Sequence, residues 1–323
     1  HRAVMDCAFS VVQPNMRQHC FYGSRRAPVE RTEMDVGPFR MEVIEPMRRT
    51  RVILDDNESG ITCDLTFSAR TASIQEARQT LWQGTRRAMD ATRFDQFGRW
   101  SGVINHPDGQ ITVDETVCHG TKDRSWGVRG VGERETGGAP ITPGGICFVW
   151  APLFWEDHIS HAIFFDGQKG EPLVREGLEA PLYQTEAEIP GVEDGLVERK
   201  LTARHRIQYH PGTRLAKSAE IDLVNLDDGV RRIKLEPKLK FMMKGLGYGH
   251  PEWKQGAWKG ELATGHESFD PRQLDHEAPE NVHTQQVVTA TDGERQGVGV
   301  LEQIVVGPYD PAGFKGLFDG FSE

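Results

Sequence analysis

The chain has 323 residues, with 38 Lys and Arg against 48 Asp and Glu and a net charge of −10, and its pI is near 5.7. No basic run is long enough to grip phosphates, which sets nucleic-acid binding aside. No apolar run approaches the roughly 18 residues that a membrane-crossing helix needs, so no integral membrane segment is expected. No secretory leader is visible in the residues given, and the expectation is a soluble, cytoplasmic protein. Cys7, Cys20, Cys63, Cys118 and Cys147 are odd in number and lack CxxC spacing, which argues for reduced thiols rather than a disulfide framework or a structural zinc.

Gly (35) and Pro (18) are frequent, while long Ala/Leu/Glu/Lys-rich windows are almost absent, so an all-β fold is expected. In ITCDLTFSA (61–69), Ile61, Cys63, Leu65 and Phe67 alternate with polar residues, as in a half-buried strand. The next stretch, 72–100, contains Ala, Gln, Glu and Arg and is expected to form a short helix, a crossing loop or a barrel lid. Alternation returns in GVINHPDGQITVDETVCHG (102–120), where Pro107-Asp108-Gly109 predicts a hairpin turn. Further strands are expected over 145–155 and 158–167. The polar, Gly/Pro/Glu-rich segment 168–195 reads as a connection between domains. Strands follow at 219–229, 231–243, 284–293 and 296–307, several ending in Asp-Gly. Evenly spaced short strands of this kind imply antiparallel meanders in sandwiches or barrels. The length exceeds one ordinary core, and the boundary is placed near 180, giving domains 1–180 and 181–323.

On a strand running through 111–119, Glu115 and His119 share a face with Ile111, Val113 and Val117. If that face points into a barrel, burial raises the carboxyl and lowers the imidazole toward neutrality, as acid–base catalysis requires; if it points outward, the two groups simply pair. KDRSWGVR (122–129) then supplies Asp123, Arg124, Trp126 and Arg129, which suit either a charged clasp at a barrel end or a site. The two histidines of HISH point to opposite faces of a strand and do not form a metal pair; His161, beside Ile159, Ile163 and Phe165, is the interior candidate. GLGYGHPEWKQGAWKGE (245–261) sets Tyr248, His250 and Trp253 among glycines, where they could line a pocket mouth. Glu302 stands among apolar neighbours, so it is expected to be protonated, paired with an arginine or facing water. No P-loop, dinucleotide fingerprint or GxSxG elbow occurs, so neither a cofactor nor Ser-His-Asp catalysis is indicated, and no metal is expected.

The segment from QFGRWSGVI (96–104) through KDRSWGVR resembles the Gly-x-x-Asp-His-x-Trp-Gly region of the carotenoid hydratase (hydroxyneurosporene synthase) and AttH-like superfamily. The stretches GLGYGHPEWKQGAWKGE and GVGVLEQIVVG are similar to the C-terminal partner domain of bacterial two-domain members, and the resemblance runs from about residue 50 onward. It implies two consecutive lipocalin-like antiparallel β-barrels with a ligand cavity within or between them. It also implies activities that need no redox cofactor, such as hydration of isoprenoids or cyclisation of polyenes. The pattern maps onto Asp123, Arg124 and Trp126. Its His is Arg124 here, which cannot exchange protons at neutral pH, so a proton donor must come from His119, Glu115, His161 or Asp123.

The expected function is a cofactor-independent hydratase/lyase, isomerase or cyclase acting on a hydrophobic small molecule such as an isoprenoid, polyene or aromatic. The expected catalytic set is Asp123, His119, Glu115 and His161, with Trp126, Arg124, Arg129, Tyr248, His250 and Trp253 around the substrate. The alternative is a lipocalin-like carrier of a lipophilic ligand. A second copy of the chain, as a homodimer, is the remaining partner considered.

Overall fold

The computed structural model describes residues 3–14, 16–83, 85–130, 144–227 and 229–321. In chain order the first strands are β1 (Val4–Val12), β2 (Gln18–Arg26), β3 (Asp35–Val36), β4 (Phe39–Glu45), β5 (Arg49–Leu54), β6 (Thr62–Ala69), β7 (Ile74–Gln75), β8 (Gln79–Gln83), β9 (Arg86–His106), β10 (Gly109–Val113) and β11 (His119–Val128). They are followed by β12 (Ile146–Phe154), β13 (His158–Gly167), β14 (Pro172–Pro181), β15 (Glu198–Arg199), β16 (Thr202–Tyr209), β17 (Ala216–Val224), β18 (Val230–Met242), β19 (Leu262–Phe269), β20 (His283–Asp292) and β21 (Arg295–Val306). Among the described residues only short 3-10 turns interrupt the strands, and no helix is long and apolar enough to cross a membrane. The all-β expectation holds.

Two compact units can be distinguished. The first takes its described residues from His1–Thr136, Tyr183–Asp194 and Lys244–Pro271; the second takes them from Gly137–Leu182, Gly195–Met243 and Arg272–Glu323.

The first unit holds a three-stranded sheet, β1-β2-β19, and a nine-stranded sheet ordered β10-β9-β6-β5-β4-β3, with β7, β8 and β11 also paired to β9. β9 is 21 residues long and organises this sheet. Along one edge it pairs with β6 through 98–105 and then with β7 and β8. Along the other it pairs with β10 through 102–106 and then with β11 through 90–99. Gly98 lies where β6 presses closest: a Cβ there would fall 2.2 Å from the Ser68 carbonyl oxygen, so only glycine fits. Phe21, Phe39, Leu54, Ile61, Cys63 and Leu65 form the buried core, with Trp100 packed against it.

The second unit is built on one sheet ordered β15-β14-β13-β12-β21-β20-β18-β17-β16. Its two ends curl toward each other, because Gly177 on β14 leaves room for Leu223 and Ala203; an added Cβ would meet them at 2.8 and 3.2 Å. Inside lie Val149, Phe164, Ile221, Ile233, Val288 and Leu301, all fully buried. Both nine-stranded sheets are thus curled half-barrels.

One expectation is corrected. Residues 72–100 are neither helix nor lid but β7, β8 and most of β9. Their polar composition concealed the strand because its buried side chains pair across strands instead of packing as hydrocarbon, and strand preference is set by such neighbours more than by residue type. The segment 168–195, read as a connection, begins with β14, which is hydrogen-bonded to β13 along its length, and the chain passes from one unit to the other after Leu182 and again after Asp194.

Candidate functional site

In the β9–β11 ladder Asp123 lies directly opposite Asp95, and residues directly opposite in an antiparallel pair share a face of the sheet. Arg93, two residues before Asp95, therefore shares it too, and β7 delivers Glu76 through a backbone hydrogen bond from the Glu76 amide to the Arg93 carbonyl. One guanidinium thus contacts two carboxyls. Arg93 Nη1 donates to Glu76 Oε2 at 3.3 Å, and its Nε lies 3.3 Å from Asp123 Oδ2. Gln79 adds a donor to Glu76 Oε2 at 3.4 Å.

Asp95 is 1% exposed and Glu76 4%, whereas the Asp123 side chain keeps 43% of its surface. Burial, followed by the negative charge of Glu76 and a hydrogen bond to it, pushes the Asp95 carboxyl well above the usual carboxylate range; Asp123 adds to the effect and Arg93 opposes it. These causes favour the protonated form of Asp95, beside a Glu76 carboxyl that Arg93 contacts. Two close, buried carboxyls that share one proton are a general way to keep an acid loaded at neutral pH.

Within the first unit the predicted residues fall into separate places. Asp123 belongs to this cluster. Lys122, Arg124 and Trp126 alternate to the other face, where Trp126 meets Phe94 edge-on at 6.3 Å and stays 53% exposed. Arg129 follows the end of β11 and donates to Ser125 Oγ at 2.8 Å. The continuous strand expected through 111–119 does not form: β10 ends at Val113, and Asp114 caps a turn by accepting from the Thr116 amide at 2.9 Å. Glu115 is exposed in that turn, 3.7 Å from Arg70, and shares no strand face with His119. His119 opens β11 roughly 13 Å along the strand from Asp123; burial and then Arg99, whose Nη1 is 3.3 Å from His119 Nε2, lower its pKa to about 4. His161 lies in the second unit, 1% exposed and edge-on to Trp150 at 5.3 Å. Glu302 meets His283 at 2.7 Å and Gln285 at 2.6 Å.

Tyr248, His250 and Trp253 follow the 3-10 turn Met243–Leu246. His250 Nδ1 accepts the Trp253 amide at 2.7 Å, and its Nε2 faces Glu267, which also accepts from Tyr22. Trp253 stacks on Tyr22 with centroids 5.8 Å apart and lines a cavity of about 100 Å³ with Cys7, Ser24, Ala257 and Lys259. That volume is well below the roughly 300 Å³ of ordinary ligand pockets.

Asp95, Glu76 and Arg93 were missed because they sit in the segment read as non-strand. The available signal was the alternation Arg93, Asp95, Phe97, which sets two charges and an aromatic on one face of a strand.

No curated protein matches the chain. Among solved structures, it is similar to a Nitrosomonas europaea protein described as an AttH, with TM-score 0.50 and 12% identity over 93% of this chain and 86% of that one. It is also similar to CghA, with TM-score 0.47 and 10% identity over 94% of this chain and 88% of that one. The first likeness shows a shared lipocalin-like β fold and leaves function unassigned. A family model matches residues 1–315, and the chain belongs to DUF8625, a family of unknown function.

Proposed function

We propose that the protein is a cofactor-independent acid–base enzyme, of hydratase/lyase, isomerase or cyclase type, acting on a hydrophobic small molecule such as an isoprenoid, polyene or aromatic. The observation that supports this reading is the buried carboxyl pair of Asp95 and Glu76 under a single arginine. Asp95 gives its proton to an alkene or carbonyl of the substrate, and the cationic intermediate then takes up water or rearranges. A proton returns to the carboxylates, with Asp123, the most exposed of the three, as the relay to solvent. Arg93 is a positioning residue that holds the Glu76 carboxyl. Activity is expected to fall as pH rises through the raised Asp95 pKa.

The test is incubation with terpenoid and polyene candidates in D2O, followed by mass spectrometry of the products. Turnover with deuterium incorporation is expected, lowered roughly 10²- to 10⁴-fold in Asp95→Asn. Undiminished turnover in that variant would sink the reading, and full activity in Asp123→Asn would remove only the relay. A co-purified lipophilic ligand released unchanged in native mass spectrometry, with no turnover, would establish the carrier alternative.

A further inference from the structure

A second constellation lies in the first unit and uses none of the site residues named above. β19 pairs with β2 so that Ser268 is directly opposite His19, which puts both side chains on one face. The Ser268 hydroxyl is 2.7 Å from His19 Nδ1, and the other ring nitrogen, Nε2, is 2.6 Å from Asp108 Oδ2. Asp108 comes from the β9–β10 turn, 89 residues from His19, while Ser268 is 249 residues away. No sequence motif could link them.

The tautomer follows from the partners. The hydrogen bond from His19 lowers the Asp108 carboxyl below its usual range, so it is an acceptor, and the imidazole nitrogen facing it carries the proton. The lone pair of Nδ1 is then left for the Ser268 O–H. Hydroxyl, imidazole and carboxylate are linked in the order nucleophile, base, orienting acid by which unrelated folds activate serine, with the two ring nitrogens exchanged so that Nδ1 faces the hydroxyl. The burial pattern agrees: the His19 side chain is 5% exposed, Asp108 32%, and Ser268 is open to solvent. Arg17 donates from Nη2 to the Ser268 carbonyl oxygen.

His19, His106 and Asp108 also bring donor atoms within 4.8 Å of one another, a grouping that by count could hold a metal ion. His106 argues against that use. Its Nδ1 accepts the Asp108 amide at 3.3 Å, so the ring proton is on Nε2, and neither nitrogen offers a free lone pair. The same bond ties Asp108 into its turn and so fixes the carboxylate against His19.

We infer that Ser268, His19 and Asp108 form a serine-nucleophile triad that hydrolyses accessible carboxylic esters. Ser268 Oγ bonds to the ester carbonyl carbon as its proton passes to His19 Nδ1. The carbon–alkoxide bond breaks, and His19 returns the proton to the leaving alcohol. Water then attacks the acyl-serine by the same route, releasing the carboxylic acid and restoring Ser268. Ester and water become acid and alcohol, with no other reactant.

The test uses the whole chain with a fluorophosphonate probe, whose phosphorus bonds to an activated serine as fluoride leaves, and with p-nitrophenyl acetate. One adduct on Ser268 is expected by peptide mass spectrometry, absent in Ser268→Ala and formed at least about 100-fold more slowly in Asp108→Asn, with acetate ester hydrolysis falling in parallel. Both substituted positions are solvent-accessible, and circular dichroism checks that the variants fold. No adduct on Ser268, labelling of Asp108→Asn at the wild-type rate, or labelling that requires an added divalent ion would each overturn the triad. The outcome is independent of Asp95 and its substrate.

Discussion

Asp95 in the first unit and Asp222 in the second are both carboxyls on β-sheet faces with almost no exposed surface, and they are treated in opposite ways. Asp222 accepts from two arginines: Arg232 Nε at 2.8 Å and Nη2 at 3.2 Å, and Arg206 Nη2 at 3.0 and 3.2 Å. Arg232 first, and Arg206 with it, hold its pKa below the ordinary range despite burial. Asp95 has a neighbouring carboxylate where Asp222 has guanidinium groups, and its pKa moves up. The comparison teaches that burial alone does not decide whether a carboxyl is a structural anion or a loaded acid; the count of cations around it does.

The largest effect expected from breaking this contrast is at Arg93. Arg93→Gln removes the guanidinium that contacts Glu76 and Asp123, and whose charge acts on Asp95, and leaves buried negative charge uncompensated. A loss of about 3 kcal/mol or more is expected in urea unfolding at neutral pH. A loss under about 1 kcal/mol would mean that the carboxyls do not depend on it.

Asp222→Asn should cost about 1–3 kcal/mol, since two charge-assisted pairs are weakened while both arginines keep access to water. Its pH dependence has a defined sign. The folded pKa is depressed, so the wild-type contribution is present above the unfolded pKa of about 4 and is lost as pH falls through the folded value. The gap between wild type and variant should therefore close in acid.

Asp95→Asn should do the reverse. Because its folded pKa is raised, the folded state binds more protons than the unfolded state once pH exceeds about 4, and this lowers stability as pH climbs toward the folded pKa. The amide carries no charge to bury, so the variant should melt a few degrees higher at pH 7 and match the wild type near pH 4. A lower melting temperature at pH 7 would show that the carboxyl is ionised in the fold. The smallest effect belongs to Trp126→Ala: with 53% of the residue exposed, its loss should change stability by less than about 1 kcal/mol. A larger drop would restore the clasp role expected of KDRSWGVR.

Much of the fold was legible. The alternation in 61–69, 145–155, 158–167, 284–293 and 296–307 reappears as β6, β12, β13, β20 and β21, because a half-buried strand must place apolar side chains at every second residue. The Pro107–Asp108 turn was legible for the same local reason and closes β9 onto β10 with Gly109 opposite His106. The site was much less so. Asp123 was singled out, but its partners were not, since Glu76, Arg93 and Asp95 are polar residues in a strand whose identity depends on five neighbouring strands. Trp126 and Asp123 read as one motif, yet three residues along a strand is half a period out of phase, which sends them to opposite faces.

The sequence by itself determined that the protein is all-β, where most of its strands run, and that it lacks the motifs of nucleotide binding. These follow from composition and from a period of two, both of which are local. Which polar residues meet was decided only by the tertiary structure. Ser268 reaches His19 because β19 from the C-terminal half pairs with β2 near the start, and Asp95 reaches Asp123 because β9 and β11 align in one register. Ladder register is set by the sum of pairings along two strands, and a shift of one residue would turn every one of these side chains to the other face.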